Sequence, residues 1–363
     1  KFDPQFASLQ DIRTVYTIHN LALQGIRPID HDSSSLKAWF PELAYDYNTV
    51  VDPRYDDCIN PMAMAIRLAD KVGTVSPTYA EEILRPSDPA HGFYGGEGLE
   101  TDLTAAARDS RLTGILNGCE YPKRDRRRPG WRRTLDTIRE EVLAWQHRRD
   151  AYEPFHAQAI ERLDSLPARR PANLLTSIGR LTEQKASLFL QPLADGRSAL
   201  EAILERLGKK GVLIMLGSGD PALQQRMAAI AREQPNFLFL CGYSETFSNM
   251  LYAGGDLFLM PSSFEPCGIS QMLAMRSGQP CVVHAVGGLQ DTVVDGYNGF
   301  TFGGDTPADQ AKNFVASVVT ALITRSNNQD RWLRIRQNAE AERFSWQAAA
   351  SRYKDDLYAI ADD

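Results

Sequence analysis

Short runs of consecutive aliphatic or β-branched residues recur along the chain, separated by segments of helical period. The runs are Thr14–Ile18, Lys71–Val75, Thr113–Leu116, Leu174–Ile178, Val212–Leu216, Phe237–Cys241, Leu257–Met260 and Cys281–His284. Helical-period stretches such as Ala199–Leu207 and Ala222–Ala231 lie between them. Unbroken apolar runs, as opposed to in-and-out alternation, mark strands covered on both faces, so the pattern predicts parallel sheets flanked by helices. From residue 174 onward the alternation is regular enough for a complete doubly wound domain. Before residue 121 only about three strands are legible against the six of a full dinucleotide-type sheet, and the first half reads as incomplete.

Between the halves lies the stretch from Tyr121 to Arg170, with a basic cluster of Lys123, Arg124, Arg126, Arg127, Arg128, Arg132 and Arg133. A polyanion patch is one reading. A solvated connector leading into a helix over Leu135–Arg149 is favoured, because the only interleaved aromatic is Trp131. At the end, Ser345 is placed to cap a helix with Trp346, Ala349, Ala350, Tyr353, Leu357 and Ile360 on one stripe, which must dock on another surface.

The 363 residues suit two domains, and 43% hydrophobic with 24% charged residues is a globular make-up. Forty Lys and Arg against 46 Asp and Glu leave a net charge of −6, which gives no global attraction to nucleic acid or acidic membranes. No apolar run approaches the roughly 18 residues of a membrane helix. The opening Lys1-Phe2-Asp3-Pro4 carries neither an initiator Met nor a signal-peptide pattern, and the chain reads as a fragment or a trimmed piece. Cys58, Cys119, Cys241, Cys267 and Cys281 are odd in number and form no C-x-x-C pair, so neither a disulfide framework nor a zinc site is predicted. A reducing cytoplasm is the expected location.

Candidate chemistry gathers in the loops that follow the predicted strands, where parallel α/β sheets bind their ligands. After Leu174–Ile178, Arg180 and Lys185 sit on a strand-to-helix loop, an arrangement suited to phosphate. After Val212–Leu216, Gly217 and Gly219 permit a tight turn and Asp220 can cap the next helix. After Leu257–Met260 comes Glu265-Pro266-Cys267-Gly268-Ile269-Ser270, in which Pro fixes the backbone beside an acid and small residues open a helix. After Cys281–His284, Gly287 and Gly288 open another. Two such helix starts beside Arg180 and Lys185 suggest a diphosphate cradle, with Glu265 placed either to hold sugar hydroxyls or to balance developing positive charge. In the first half His19-Asn20 follows a strand directly, and the histidine either packs locally or faces a cleft. Asp30-His31-Asp32 is discounted as a metal site, since neighbours in a Ser-rich loop seldom converge on one ion. Ser76-Pro77-Thr78 reads as a helix cap and Gly95-Gly96-Glu97-Gly98 as a mobile loop. No G-x-S-x-G elbow, P-loop or H-E-x-x-H occurs.

These residues resemble bacterial glycogen synthases and plant starch synthases, the ADP-glucose-dependent α-1,4-glucan glucosyltransferases. The resemblance runs through nearly the whole chain. It includes Thr17-Ile18-His19-Asn20-Leu21-Ala22, Lys71 to Tyr79, Gly114-Ile115-Leu116-Asn117-Gly118, Arg180 to Lys185, Gly217-Ser218-Gly219-Asp220-Pro221 and the block from Ala253 to Val293. It implies an α/β fold of the GT-B type, two Rossmann-like parallel-sheet domains facing across a cleft, the first incomplete. The expected boundaries are 1–167 for that partial domain and linker, 168–343 for the nucleotide-sugar domain, and 344–363 for a C-terminal helix crossing back.

By the same resemblance Arg180 and Lys185 bind the donor diphosphate, Tyr243 stacks on adenine, and amides around Gly287 and Gly288 reinforce the phosphate site. Gly217 and Asp220 are grouped with these donor-side residues. Glu265 is similar to the acid beside the glucose, with Cys267, Gly268, Ile269 and Ser270 alongside it. His19 is similar to the cleft histidine of the first domain, and Asn60 to an asparagine near the sugar. The implied chemistry is retaining transfer of glucose from ADP-glucose to the non-reducing 4-hydroxyl of an α-1,4-glucan, without metal or other cofactor, and with no nucleic-acid or membrane partner. Departures from the family pattern are Ser263 for Arg, Leu273 for Tyr, Ala186 for Gly, Cys119-Glu120 for Ile-Asp, the Arg-rich linker, and the lack of a lysine-glycine-glycine-leucine loop. Sequence on the order of 100 residues or more would be needed to complete the first sheet.

Overall fold

A computed structural model describes residues 4–9, 11–121, 128–148 and 154–358. The chain packs as two units. One comprises residues 1–89, 93–118 and 345–363, and the other residues 90–92 and 119–344.

In the first unit, β1 (Val15–Ile18) is followed by a two-residue antiparallel pair, β2 (Arg27–Pro28) and β3 (Cys58–Ile59), and then by β4 (Lys71–Thr74) and β5 (Leu112–Gly114). Strands β1, β4 and β5 form a three-stranded parallel sheet in that order, the strands read from the apolar runs. Helix Pro77–Glu82 starts at Ser76, whose hydroxyl accepts from the Tyr79 amide at 3.1 Å.

Residues from Ser345 onward belong to this unit. Ser345 caps the helix Trp346–Arg352, accepting from the Ala348 amide at 3.2 Å, and the chain continues as a wide π-type turn over Tyr353–Tyr358. That turn shifts the phase of the expected stripe only beyond Arg352. Ala349 and Leu357 are buried, whereas Trp346 and Ala350 are exposed. Leu357 lies over Gly73 of β4, where a Cβ would come within 2.8 Å of its side chain. Ile360 lies outside the described residues.

The second unit holds β6 (Asn173–Ile178), β7 (Gly211–Leu216), β8 (Phe237–Leu240), β9 (Leu257–Met260), β10 (Cys281–His284) and β11 (Phe300–Phe302). All pair in parallel in the order β11-β10-β9-β6-β7-β8. Counted within the unit, this is the doubly wound dinucleotide-fold order, with its topological switch point between β6 and β9. Each residue of β7 is buried, as a strand covered on both faces requires. The helix Ala199–Leu207 opens with a capping box between Ser198 and Glu201.

The connector differs from the expectation of a solvated segment. Its helix begins at Trp131 and runs to Arg148, burying Trp131, Ile138, Val142 and Trp145 against β7 and β8. Arg128 pairs with the buried Asp256, which also accepts from Arg170 at 3.0 Å and is ion-paired with Arg325 at 2.9 Å. Three guanidinium groups hold that carboxyl below the usual carboxylate range against the opposing effect of burial. Arg132 and Arg133 are exposed as expected, while Lys123, Arg124, Arg126 and Arg127 lie outside the described residues. All five cysteines are free thiols. Among the described residues no helix is long and apolar enough to cross a membrane.

Candidate functional site

The switch point sets the site. Because β6 and β9 are neighbours whose following helices start on opposite sides of the sheet, their carboxyl ends leave a crevice. A pocket there is lined by Ser177, Gly179, Arg180, Lys185, Met260 and Ser262. The Arg180 side chain is exposed and has no partner among the described residues.

Lys185, in the first turn of the helix Glu183–Leu190, is ion-paired with Glu265 on the loop after β9. The Glu265 carboxylate is buried, with a side-chain exposure of 8%, and also accepts from the Ser262 hydroxyl at 3.1 Å. The loop is anchored at several further points. Ser263 donates its amide to the Gln184 carbonyl at 2.9 Å and its hydroxyl to the same oxygen at 3.1 Å. Gln184 returns a side-chain bond to the Phe264 carbonyl at 2.6 Å. The small Ser263, where the resembled family carries Arg, is thus buried in the loop's anchorage.

His284, at the end of β10, was not singled out by the sequence pattern. Its Nδ1 lies 3.1 Å from the Ser262 carbonyl and its ring stacks on Phe302 at 5.1 Å. Burial lowers its pKa to about 4, so the imidazole is neutral near pH 7, and a carbonyl partner fixes the proton on Nδ1.

The glycine pair opens the helix Gly287–Thr292. The Gly288 amide donates to the Glu265 carbonyl at 3.1 Å, so it braces the Glu265 loop instead of facing open space. A Cβ at Gly288 would come within 2.2 Å of the Cys267 carbonyl oxygen, so only glycine allows this approach. Gly287 and Gly268 have positive φ of 43° and 75°. The Cys267 and Gly268 carbonyls each accept from the Gln271 side chain at 3.1 Å. Ile269 is exposed, and Ser270 accepts from the Tyr252 hydroxyl at 3.1 Å.

Gly217 and Asp220 serve the neighbouring loop. A Cβ at Gly217 would come within 2.1 Å of the Gly179 oxygen, which joins the loops after β6 and β7. Asp220 caps the helix Pro221–Glu233, its carboxylate accepting from Ala222 at 2.8 Å and Leu223 at 3.0 Å. Tyr243, after β8, is 76% exposed.

Two expected residues belong to the first unit. His19 follows β1, is exposed, and has no side-chain partner among the described residues. Asn60 is fully buried and its hydrogen-bonding groups are engaged within the fold. Its Oδ1 accepts from the Ala63 amide at 3.0 Å, capping the helix Pro61–Leu68, and its Nδ2 donates to Gln24 and Asp52, both at 2.7 Å. A sugar would have to displace those partners. Among the described residues no group of three His, Cys, Asp or Glu stands close enough to hold a metal ion.

Residues 1–105 match the family model described as the starch synthase catalytic domain, and residues 172–322 that of glycosyl transferases group 1. The glycogen synthase of Anaeromyxobacter dehalogenans (strain 2CP-C) is 34% identical over 96% of this chain and 66% of its own length. That of Streptococcus equi subsp. equi (strain 4047) is 34% identical over 95% of this chain and 67% of its own. The chain thus spans about two thirds of these curated relatives. The catalytic domain of starch synthase IV from Arabidopsis thaliana, solved bound to ADP and acarbose, superimposes with a TM-score of 0.69 at 27% identity, covering 96% of this chain and 66% of that one. With a parallel sheet in each unit and these relatives across both, the chain belongs to the glycogen synthase family of GT-B glycosyltransferases.

Proposed function

We propose that this chain carries the machinery for retaining transfer of glucose from ADP-glucose to the non-reducing 4-hydroxyl of an α-1,4-glucan. The observation that carries the reading is the placement of Arg180, Lys185 and Glu265 at the carboxyl ends of β6 and β9. Departure of ADP leaves an oxocarbenium-like sugar and a diphosphate, so one site must answer charge of both signs. Arg180, a cation with no side-chain partner among the described residues, meets the diphosphate. Lys185 divides between phosphate and Glu265, and the buried Glu265 carboxylate faces the positive charge developing on the ring.

In this scheme the ring of Tyr243, exposed after β8, stacks on adenine, and the exposed His19 is a catalytic side chain of the first unit. No metal is needed in this scheme, because guanidinium and ammonium groups supply the charge that a divalent ion would otherwise bring. The ADP and acarbose in the starch synthase IV structure support a nucleotide donor and a glucan-like acceptor.

Calorimetric titration with ADP, against UDP, tests the donor side. Binding of ADP in preference to UDP is the expected result. A folded chain that binds neither overturns the assignment of Arg180, Lys185 and Tyr243.

A further inference from the structure

Among side chains outside the Lys185–Glu265 site, Glu97 is poorly explained by packing. Its φ is +50°, in the left-handed region that residues bearing a Cβ disfavour. It stands in Gly95-Gly96-Glu97-Gly98, a segment whose composition predicts mobility. The structure shows a packed loop. Gly95 donates to the Ser87 hydroxyl at 3.0 Å, and Gly96 to the Arg85 carbonyl at 2.8 Å. A Cβ would come within 2.0 Å of the Arg85 oxygen at Gly95 and within 2.6 Å of the Ile83 oxygen at Gly96. The Glu97 carbonyl in turn accepts from the Gln24 side chain at 3.0 Å. The backbone is therefore held on both sides of a residue that glycine would suit better.

The side chain gains nothing evident from this. The Glu97 carboxylate is half-buried, and makes no hydrogen bond or ion pair with any described residue. Burial raises its pKa, with Arg54 opposing weakly. Arg54 is committed elsewhere, donating to Gln24 at 2.9 Å and lying 3.6 Å from the buried Asp52.

The position is informative. Gln24 follows β1, and so does Leu21, whose amide donates at 3.2 Å to the hydroxyl of Tyr79, which follows β4 and senses the Glu97 charge. Glu97 thus sits where two adjacent parallel strands end, the side on which open α/β sheets bind ligands. His19 lies on the same loop as Leu21 and Gln24. A carboxylate without a cationic partner repels phosphate and accepts hydrogen bonds from neutral hydroxyls.

We propose that Glu97 is an acceptor-side binding residue that takes hydrogen bonds from the hydroxyls of an α-glucan, its strained backbone conformation retained for that contact. The proposal rests on the glucan-extending reading given above. It is tested by titrating the full chain and its Glu97→Gly and Glu97→Gln variants with maltoheptaose and, separately, with ADP, and by melting each.

Glycine accepts the positive φ, so Glu97→Gly is expected to melt at or above the parent temperature while its affinity for maltoheptaose falls at least tenfold and ADP binding stays unchanged. Glu97→Gln keeps an acceptor oxygen and is expected to fall between the two. A Glu97→Gly variant that binds maltoheptaose as the parent does overturns the proposal. So does one that melts lower and loses both ligands together, since that is a structural role. A parent chain that binds ADP but no maltoheptaose overturns the glucan reading itself, and this site with it.

Discussion

Lys185 and Glu265 are ion-paired although 80 positions apart in the chain, because their loops follow β6 and β9, the two strands at which the sheet order reverses. The carboxylate is the more buried partner, at 8% side-chain exposure against 21% for the lysine. Lys185→Ala therefore leaves a buried charge without its counter-ion. A loss of roughly 3 kcal/mol in unfolding free energy is expected, measured by urea denaturation. Adding Glu265→Gln to Lys185→Met should recover most of that stability. Glucose transfer should stay depressed by about 10²-fold or more in every combination, since transition-state charge stabilisation is lost in each. A double variant that recovers transfer together with stability would assign the pair a scaffolding role only.

The Gly288 amide and the Glu265 carbonyl set the height of the loop after β9, and the contact leaves no room for a side chain. In Gly288→Ala the new methyl would meet the Cys267 oxygen at 2.2 Å and its Cα at 2.5 Å, both backbone atoms. One of the two loops has to move. A destabilisation on the order of 2 kcal/mol is expected, with ADP affinity weakened because Glu265 and Lys185 shift together. Unchanged ADP titration by a folded variant would separate this brace from the donor site.

Strands of the second unit were legible because each is a run of apolar residues long enough to stand out, such as Leu257–Met260 and Phe237–Leu240. Phe300–Phe302 was not, since three residues with Thr301 in the middle carry too little pattern. The two-residue β2 and β3 escaped for the same reason. That Arg180, Lys185 and Glu265 lie in loops following strands was legible because position relative to a strand end is a sequence property once the strands are known. His284 was missed because its role depends on Ser262, 22 positions away, and on the ring of Phe302. The capping position of Asn60 has a sequence signal too: Asn followed by Pro61 is a helix start, and the helix Pro61–Leu68 begins there.

Asn60 consequently carries a stability prediction. Asn60→Ala removes the cap on Ala63 and leaves the buried Asp52 and Gln24 side chains each short of one donor. A loss of roughly 2–4 kcal/mol is expected, read as a lower denaturation midpoint. ADP affinity should be unchanged, because the proposed donor residues lie in the other unit. A variant of parental stability with weakened sugar affinity would make this side chain a sugar contact instead.

His284 makes the second unit sensitive to acid in a direction fixed by its burial. The folded pKa is about 4, below the ordinary value of 6.5, because the imidazole loses solvation on folding. Between those two values the unfolded chain binds more protons than the folded one, so stability rises with pH across this window. The contribution is fully present above pH 6.5 and is lost as pH falls toward 4. At about 1.4 kcal/mol for each pH unit crossed, the loss amounts to roughly 3 kcal/mol. In His284→Gln the side chain keeps a donor for the Ser262 carbonyl but does not titrate. Urea denaturation of parent and variant at pH 7 and pH 4 should therefore show the parent losing roughly 3 kcal/mol more than the variant over that interval. Equal losses would mean that His284 takes up its proton in the folded chain near its ordinary pKa, and that the Ser262 carbonyl does not require a neutral ring.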